Sequence, residues 1–491
     1  MPGIGVLDAR PHLRHDARPD LRHDVRRHRR RTGHDIRRNR HSVGRHRRRR
    51  GLDLQSPRAR LIGLLVAETV VTLGSRVAAM AIPWLVLVTT GSPAKMGVVA
   101  AAEAVPFVLS SVLGAPLIDR IGVRRVILVA IVGGGVTIAA VAAGYRAGLV
   151  FLAVLVAVNG ALRGVGDRAR ALLLRPTVQS AKVELTRATA VYDGISKLSM
   201  LIGAPVGGVL IAWLGVAGVL WSQAVAMAAG ALLMYAQTRQ PPGGQPSPDG
   251  QPSPGAEPGA QDGAKEPYLR ALRGGFAYMW RDGLLASMAV MTLLTNLCTA
   301  ASATVFIPLW VNEVLGTPAG LGLVSGAFAL GALVGNIGFT AFAPRLPRYL
   351  ALTIGYLVGS SPRFLVLGSS DDLALAMTVF FVCGIAVSSF NPIIGVMLYQ
   401  RVPPELQARV FGVSAALSYG GMPLGSFAGG LAAEHYGFTI ALLIATAVSF
   451  GATLIPVVGY RTWRQLDDVD QSSLARTGTP DCTRTPTGAK R

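Results

Sequence analysis

Apolar stretches of about twenty residues, the length at which a helix crosses the hydrocarbon core of a bilayer, recur along this chain between short polar or Gly- and Pro-containing turns. Twelve are predicted as helices, near residues 61–89, 96–118, 125–144, 149–168, 188–212, 215–236, 284–311, 319–342, 349–368, 373–399, 409–433 and 438–460. The pattern predicts an all-α membrane protein.

A polar stretch between the sixth and seventh of these, "QPPGGQPSPDGQPSPGAEPGAQDGAKE", is too rich in Pro, Gly and Ser to pack and reads as a flexible linker. After it Leu269, Leu272, Phe276 and Trp280 recur at helical spacing while Arg270, Arg273 and Arg281 fall elsewhere, as in a helix lying at a membrane surface. The organisation read from the pattern is an N-terminal Arg/His-rich arm over 1–57 and a six-helix bundle over 58–237. A cytoplasmic linker with an amphipathic helix over 238–282, a second six-helix bundle over 283–461 and a polar tail over 462–491 follow. Arm and tail are expected to be disordered.

The two bundles are related. "IPWLVLVTTGSPAKMG" from Ile82 aligns without gaps to "IPLWVNEVLGTPAGLG" from Ile307, so that Pro83, Gly91, Pro93, Ala94 and Gly97 meet Pro308, Gly316, Pro318, Ala319 and Gly322. A looser echo joins "GAPVGG" from Gly203 to "GMPLGS" from Gly421. Together they indicate a duplicated six-helix unit.

Composition agrees with the pattern: 51% hydrophobic, 15% charged, mean hydropathy +0.44, outside the range of soluble globular chains. The formal net charge of +22 is uneven, roughly half of the excess lying in the first fifty residues with seven of the eight histidines. That arm reads as a solvated cytoplasmic arm, as translated sequence outside the working protein, or as a binder of acidic head groups or nucleic acid; the first two readings are favoured, so no nucleic acid partner is expected. No histidine spacing there resembles a built metal site, and three cysteines cannot form a disulfide framework. Elsewhere the basic turns, "DRIGVRR", "RARALLLRPTVQSAKVELTR", "PRLPR" and "QRVPPELQAR", alternate with turns poor in Lys and Arg. The positive-inside rule then places both termini in the cytoplasm.

Charges inside apolar spans cost about 3 kcal/mol unless paired or wet, which singles out Glu68 and Arg76 in the first span, Glu103 in the second and Arg163 in the fourth. Arg76 and Glu103 lie at depths where their side chains are expected to meet. Glu103 or Glu68 is then either a proton carrier or one half of a fixed ion pair. Asp193 and Lys197, one turn apart in the fifth span, read as a self-neutralising pair. Asn159, Asn296, Asn336 and Asn391 are amides at membrane depth, open either to a substrate or to bonds between helices.

The turn "GAPLIDRIGVRR", with Gly114, Asp119, Arg120, Gly122, Arg124 and Arg125, lies between the second and third spans. Asp119 at a helix end can accept hydrogen bonds from free N–H groups at the start of another helix. The arginines either hold it or serve only topology. Gly114 suits a close helix contact and Gly122 a sharp turn. In the second bundle Pro344 stands for Asp119 and Tyr349 for Arg124.

This turn resembles the signature of the major facilitator superfamily. With "GAPVGG" and "QRVPPELQARVFG" the chain is similar to the twelve-span exporters of that superfamily, the group that contains macrolide efflux pumps and the enterobactin exporter. The resemblance implies two parallel six-helix repeats in the major facilitator fold. It also implies a secondary active transporter of the inner (cytoplasmic) membrane that expels an amphipathic small-molecule substrate, with a proton gradient as energy source, no cofactor and a monomer in the lipid bilayer. It further implies that Asp119 latches onto the start of the eleventh span in the outward-open state, and that Arg163 takes part in proton coupling. An uncoupled facilitator or importer, a receptor or scaffold, and a transferase acting on lipid-linked substrates are the alternatives. No GxxxxGK[ST] phosphate loop is present.

Overall fold

A computed structural model describes residues 57–181, 183–238, 268–342 and 346–466. The N-terminal arm up to residue 56, linker residues 239–267, Pro344 and the tail beyond residue 466 lie outside the described residues.

The described chain is helical throughout. In the first half α1 (Pro57–Thr90), α2 (Pro93–Leu113), the short α3 (Ala115–Ile121), α4 (Val123–Gly144), α5 (Leu149–Ala181) and α6 (Leu185–Thr238) follow one another. Gly215, at φ +69°, breaks α6 into two limbs, a turn that a residue with a Cβ would adopt only under strain. These limbs correspond to the fifth and sixth predicted stretches. A surface helix α7 (Tyr268–Arg281) leads to α8 (Gly283–Leu315), α9 (Ala319–Phe342), α10 (Arg348–Ser369), α11 (Leu373–Arg401), α12 (Pro404–Tyr436) and α13 (Phe438–Val458). Every predicted apolar stretch is thus helical. By length and composition ten segments among the described residues are fit to cross a membrane; one, Gly194–Tyr235, contains both limbs of α6, and the more polar α12 is not among them.

Local chemistry sets the boundaries. Ser92 caps α2 through Lys95 N with Pro93 at the first position, and Asp282 and Asp372 cap α8 and α11 with their carboxylates. Gly122, at φ +91°, makes the sharp turn expected between α3 and α4. The expected end of the fourth span near residue 168 is wrong: α5 continues to Ala181. Apolar positions at Ala169, Leu174 and Val178 keep its far end buried.

Within the first half α1 lies along α6, α2 along α5, and α4 against α5 and α6. In the second half α8 packs on α12 and α13, while α11 packs on α9 and α10. Two crossings join the halves, α2 with α12 and α6 with α9. Both are made of backbone on backbone. A Cβ at Gly430 would stand 3.0 Å from Gly97 Cα, and one at Gly208 would stand 2.6 Å from Gly322 N. Small residues four apart, Pro93 and Gly97 against Ser426 and Gly430, and Ala204 and Gly208 against Pro318 and Gly322, permit this approach. Gly97 and Gly322 are the glycines matched between the repeats, so the two crossings are equivalent by duplication.

Both crossings lie near the face opposite the Asp119 turn. There a single apolar core, including Ile82, Trp84, Phe306 and Trp310, runs through both halves. Towards the basic face the core divides: Leu64, Ile127 and Met234 belong to a cluster of the first half, whereas Leu284, Leu352 and Met397 belong to one of the second. The halves are therefore sealed together at one face and packed separately at the other.

Candidate functional site

Three acids and three arginines gather between α1, α2 and α5. Their arrangement follows from how closely α2 and α5 approach. Gly160 and Gly164 of α5 lie against the backbone of Glu103 and Phe107, and no side chain separates the helices. One turn further on, Arg163 Nη1 meets Glu103 Oε1 at 2.8 Å, and its guanidinium stands 4.6 Å from the Phe107 ring centroid. The expected meeting of Arg76 with Glu103 does not occur, because α2 packs mainly on α5 rather than on α1. Glu103 and Arg163 keep 13% and 23% of their side chains exposed, so the pair is less enclosed than a core residue.

The second acid of the first span has different company. Glu68 is 4% exposed and receives Arg170 Nε at 2.6 Å on one oxygen, with Thr72 Oγ1 at 3.1 Å and Tyr192 Oη at 3.2 Å on the other. Arg170 also reaches Asp167 Oδ1 at 2.5 Å, and the Asp167 side chain is 45% exposed. Neither Asp167 nor Arg170 stood out in the sequence: Asp167 is the last but one residue of the predicted fourth span and Arg170 lies just beyond it, so both read as part of a basic turn. What could have found them is the spacing of Arg163, Asp167 and Arg170, three and four residues apart on one helical face.

Arg76 makes no ion pair or hydrogen bond among the described residues. It lies ~21 Å along α1 from Thr90 at 1.5 Å per residue, with its stem against Gly203 of α6. Its charge interacts with Arg163, Asp167 and, from the second half, Tyr419. Arg76 and Tyr419 are both exposed although deep in their helices. A small cavity bordered by Asn159, Arg163, Arg170 and Met227 lies among these groups.

The amides divide. Asn159 is buried and accepts Thr137 Oγ1 at 3.3 Å, and Asn296 donates to Ser418 O at 3.0 Å, so both join neighbouring helices. Asn336 donates to Ala332 O of its own helix, and Asn391 is exposed with no hydrogen bond among the described residues. The side chains of Asp193 and Lys197 lie outside the described set.

At the signature turn Gly114 separates α2 from α3 and packs on Val165 of α5, the close contact expected of it. Asp119, Arg120 and Arg125 are exposed, Arg124 is partly buried, and none of the four makes an ion pair among the described residues. A family profile described as the Major Facilitator Superfamily matches residues 64–360 and 293–473. The chain belongs to the major facilitator superfamily. It is a multi-pass membrane transporter of small molecules, not an enzyme.

Relatives within the superfamily agree. The multidrug efflux pump Tap of Mycobacterium tuberculosis (strain ATCC 25618 / H37Rv) is 27% identical over 419 residues, covering 84% of this chain and 96% of the pump. Tap of Mycolicibacterium fortuitum is 25% identical over 407 residues, covering 82% and 95%. Among solved structures the nucleoside transporter NupG superimposes with a TM-score of 0.66 at 13% identity, covering 82% of this chain and 99% of that one. A bacterial homologue of the lysosomal transporter Spinster gives 0.61 at 16% identity, covering 85% and 98%. These likenesses carry the major facilitator fold.

The second half contains a cation that sequence reading passed over. Arg363 of α10 is 4% exposed, donates to Thr299 Oγ1 at 3.0 Å, and lies 4.8 Å from the Phe364 ring centroid, with Nε unpartnered. No carboxylate pairs with it among the described residues. The acids described midway along the spans, Glu68 and Glu103, are in the first half, whereas in the second half Glu313 and Glu434 lie near the ends of α8 and α12.

Proposed function

We propose that this transporter exports amphipathic small molecules in exchange for protons by alternating access. The basic face and both termini are cytoplasmic, in the inner membrane of a bacterium. The observation that carries the proton-coupled part is the Glu103–Arg163 pair. It is a carboxylate with one arginine partner, partly exposed and at membrane depth on α2, the helix that crosses to the second half. A carboxylate in this position is neutralised either by its arginine or by a proton, and the exchange between the two changes what Arg163 presents to the cleft. The names of the Tap relatives support export and a broad substrate range, and the basic turns support the orientation.

The substrate is expected to enter between the halves near Arg76 and Tyr419, which are exposed deep in α1 and α12 and whose charges interact. The test is reconstitution into vesicles with an imposed pH gradient and a fluorescent amphipathic drug such as ethidium. Uphill movement that follows the gradient and ends with a protonophore is expected. Movement that only equilibrates the drug, whatever the gradient, refutes coupling.

A further inference from the structure

Two hydrogen bonds cross between the halves at the sealed face, and both end on one carboxylate oxygen. Glu434 Oε2, near the end of α12, accepts Ser92 Oγ at 2.9 Å and the backbone N of Ala94 at 3.3 Å. Ser92 is the N-cap of α2, its own oxygen accepting Lys95 N at 3.3 Å. The carboxylate of one half is thus built into the first turn of a helix of the other. Unsatisfied N–H groups and the positive end of the helix dipole favour a negative charge at that position. One turn deeper Gly97 and Gly430 are in backbone contact, so the bond cannot form unless the crossing is closed.

The same helix pair carries a second carboxylate at its other end. Asp119 follows the end of α2, and the superfamily resemblance assigns it to the start of α12. In this structure Asp119 is exposed and unpartnered while Glu434 is engaged. We infer that Glu434 is a gating residue. It holds the face opposite the Asp119 turn closed by capping α2, and it must release α2 each time that face opens. The inference rests on the alternating-access reading above and goes beyond it by naming the group that stabilises one of the two states.

A capping carboxylate at a helix start shifts an equilibrium by about tenfold. The test is double electron–electron resonance on the full chain in lipid nanodiscs, with spin labels at Arg146→Cys and Asp371→Cys. These exposed positions lie in turns of the two halves at the sealed face. Cys482→Ser removes one native thiol, and Cys298 and Cys383 are buried. The parent is expected to show a short and a long distance. Glu434→Ala is expected to raise the ratio of long to short by about tenfold, and Ser92→Ala by less. Glu434→Gln keeps an acceptor but loses the charge, and is expected to fall between parent and Ala.

In transport from the basic face, Glu434→Ala is expected to raise KM in inverse proportion to the fraction of the closed state that remains. A merely structural role would lower thermal stability and leave the distance ratio and KM alone; that result overturns the inference, as does an unchanged ratio in Glu434→Gln should Glu434→Ala fail to fold. A parent that shows one distance under every pH and substrate condition instead refutes alternating access itself.

Discussion

Glu103 and Glu68 carry the same charge and pair with arginines two turns apart on α5, yet replacing each by glutamine is expected to damage different properties. Glu68 is held by three donors, one of them the guanidinium of Arg170, and is almost wholly buried. Glu68→Gln keeps acceptors for Thr72 and Tyr192 but removes the ion pair, leaving Arg170 with Asp167 alone. Breaking a buried pair in this way costs about 3 kcal/mol, so the thermal midpoint of the purified protein should fall, and all transport activities should decline together. Glu103 has Arg163 as its partner, and both are partly exposed. The loss of that pair costs about 1 kcal/mol, and Arg163 keeps its place over Phe107. Glu103→Gln should therefore leave the thermal midpoint close to that of the parent. In vesicles it should abolish uphill drug movement driven by a pH gradient while exchange of labelled for unlabelled drug, which needs no net proton, continues. Uphill movement retained in Glu103→Gln would refute the assignment of the proton to this pair. Loss of uphill movement with intact exchange in Glu68→Gln would transfer it to Glu68.

Other outcomes follow from the same geometry. Gly322→Leu places a side chain where a Cβ already stands 2.9 Å from Pro205 O; it should hold the sealed face open, seen as faster alkylation of a Val99→Cys reporter that is shielded here. An alkylation rate equal to that of the parent would count against the crossing as a seal. Arg363→Met should leave stability unchanged or raise it by about 1–4 kcal/mol, because a buried cation without a carboxylate is replaced by an apolar chain of similar volume; a lower thermal midpoint would reveal a partner for Arg363. Trp280, stacked on Phe276 with centroids 5.1 Å apart and 51% exposed, should be quenched by brominated lipid, with the quenching reduced in Trp280→Phe to what the exposed Trp213 and Trp221 contribute. Equal quenching in both proteins would place α7 away from the bilayer.

The helices were legible because an apolar stretch of membrane length has few alternatives to a helix. The duplication was legible because the repeated turn needs Pro and Gly at matching positions, and the pairing of Gly97 with Gly322 proved to mark the two crossings between the halves. Which helices become neighbours was not legible. The sequence order of α1 and α2 led to a match of Arg76 with Glu103, whereas Gly160 and Gly164 draw α2 to α5 and supply Arg163 instead. Asp167 and Arg170 escaped notice for a related reason. A charged helix end reads as a wet turn until tertiary packing shows Arg170 to be 3% exposed. Arg363 lies within the predicted span 349–368, where the cost of a charge among apolar residues marks it as it marks Glu68 and Arg163; what the sequence does not show is that it is buried without a carboxylate.

Side chains that interdigitate must withdraw and find new rotamers before two surfaces can part, and each such step adds friction. Where Gly97 rests on Gly430 and Gly208 on Gly322 there is nothing to withdraw. The joint behaves as a plain bearing, able to turn without local melting, and it carries no spare room. A single added carbon at any of these four sites would act as a wedge, so the freedom to rock and the intolerance of change have one origin.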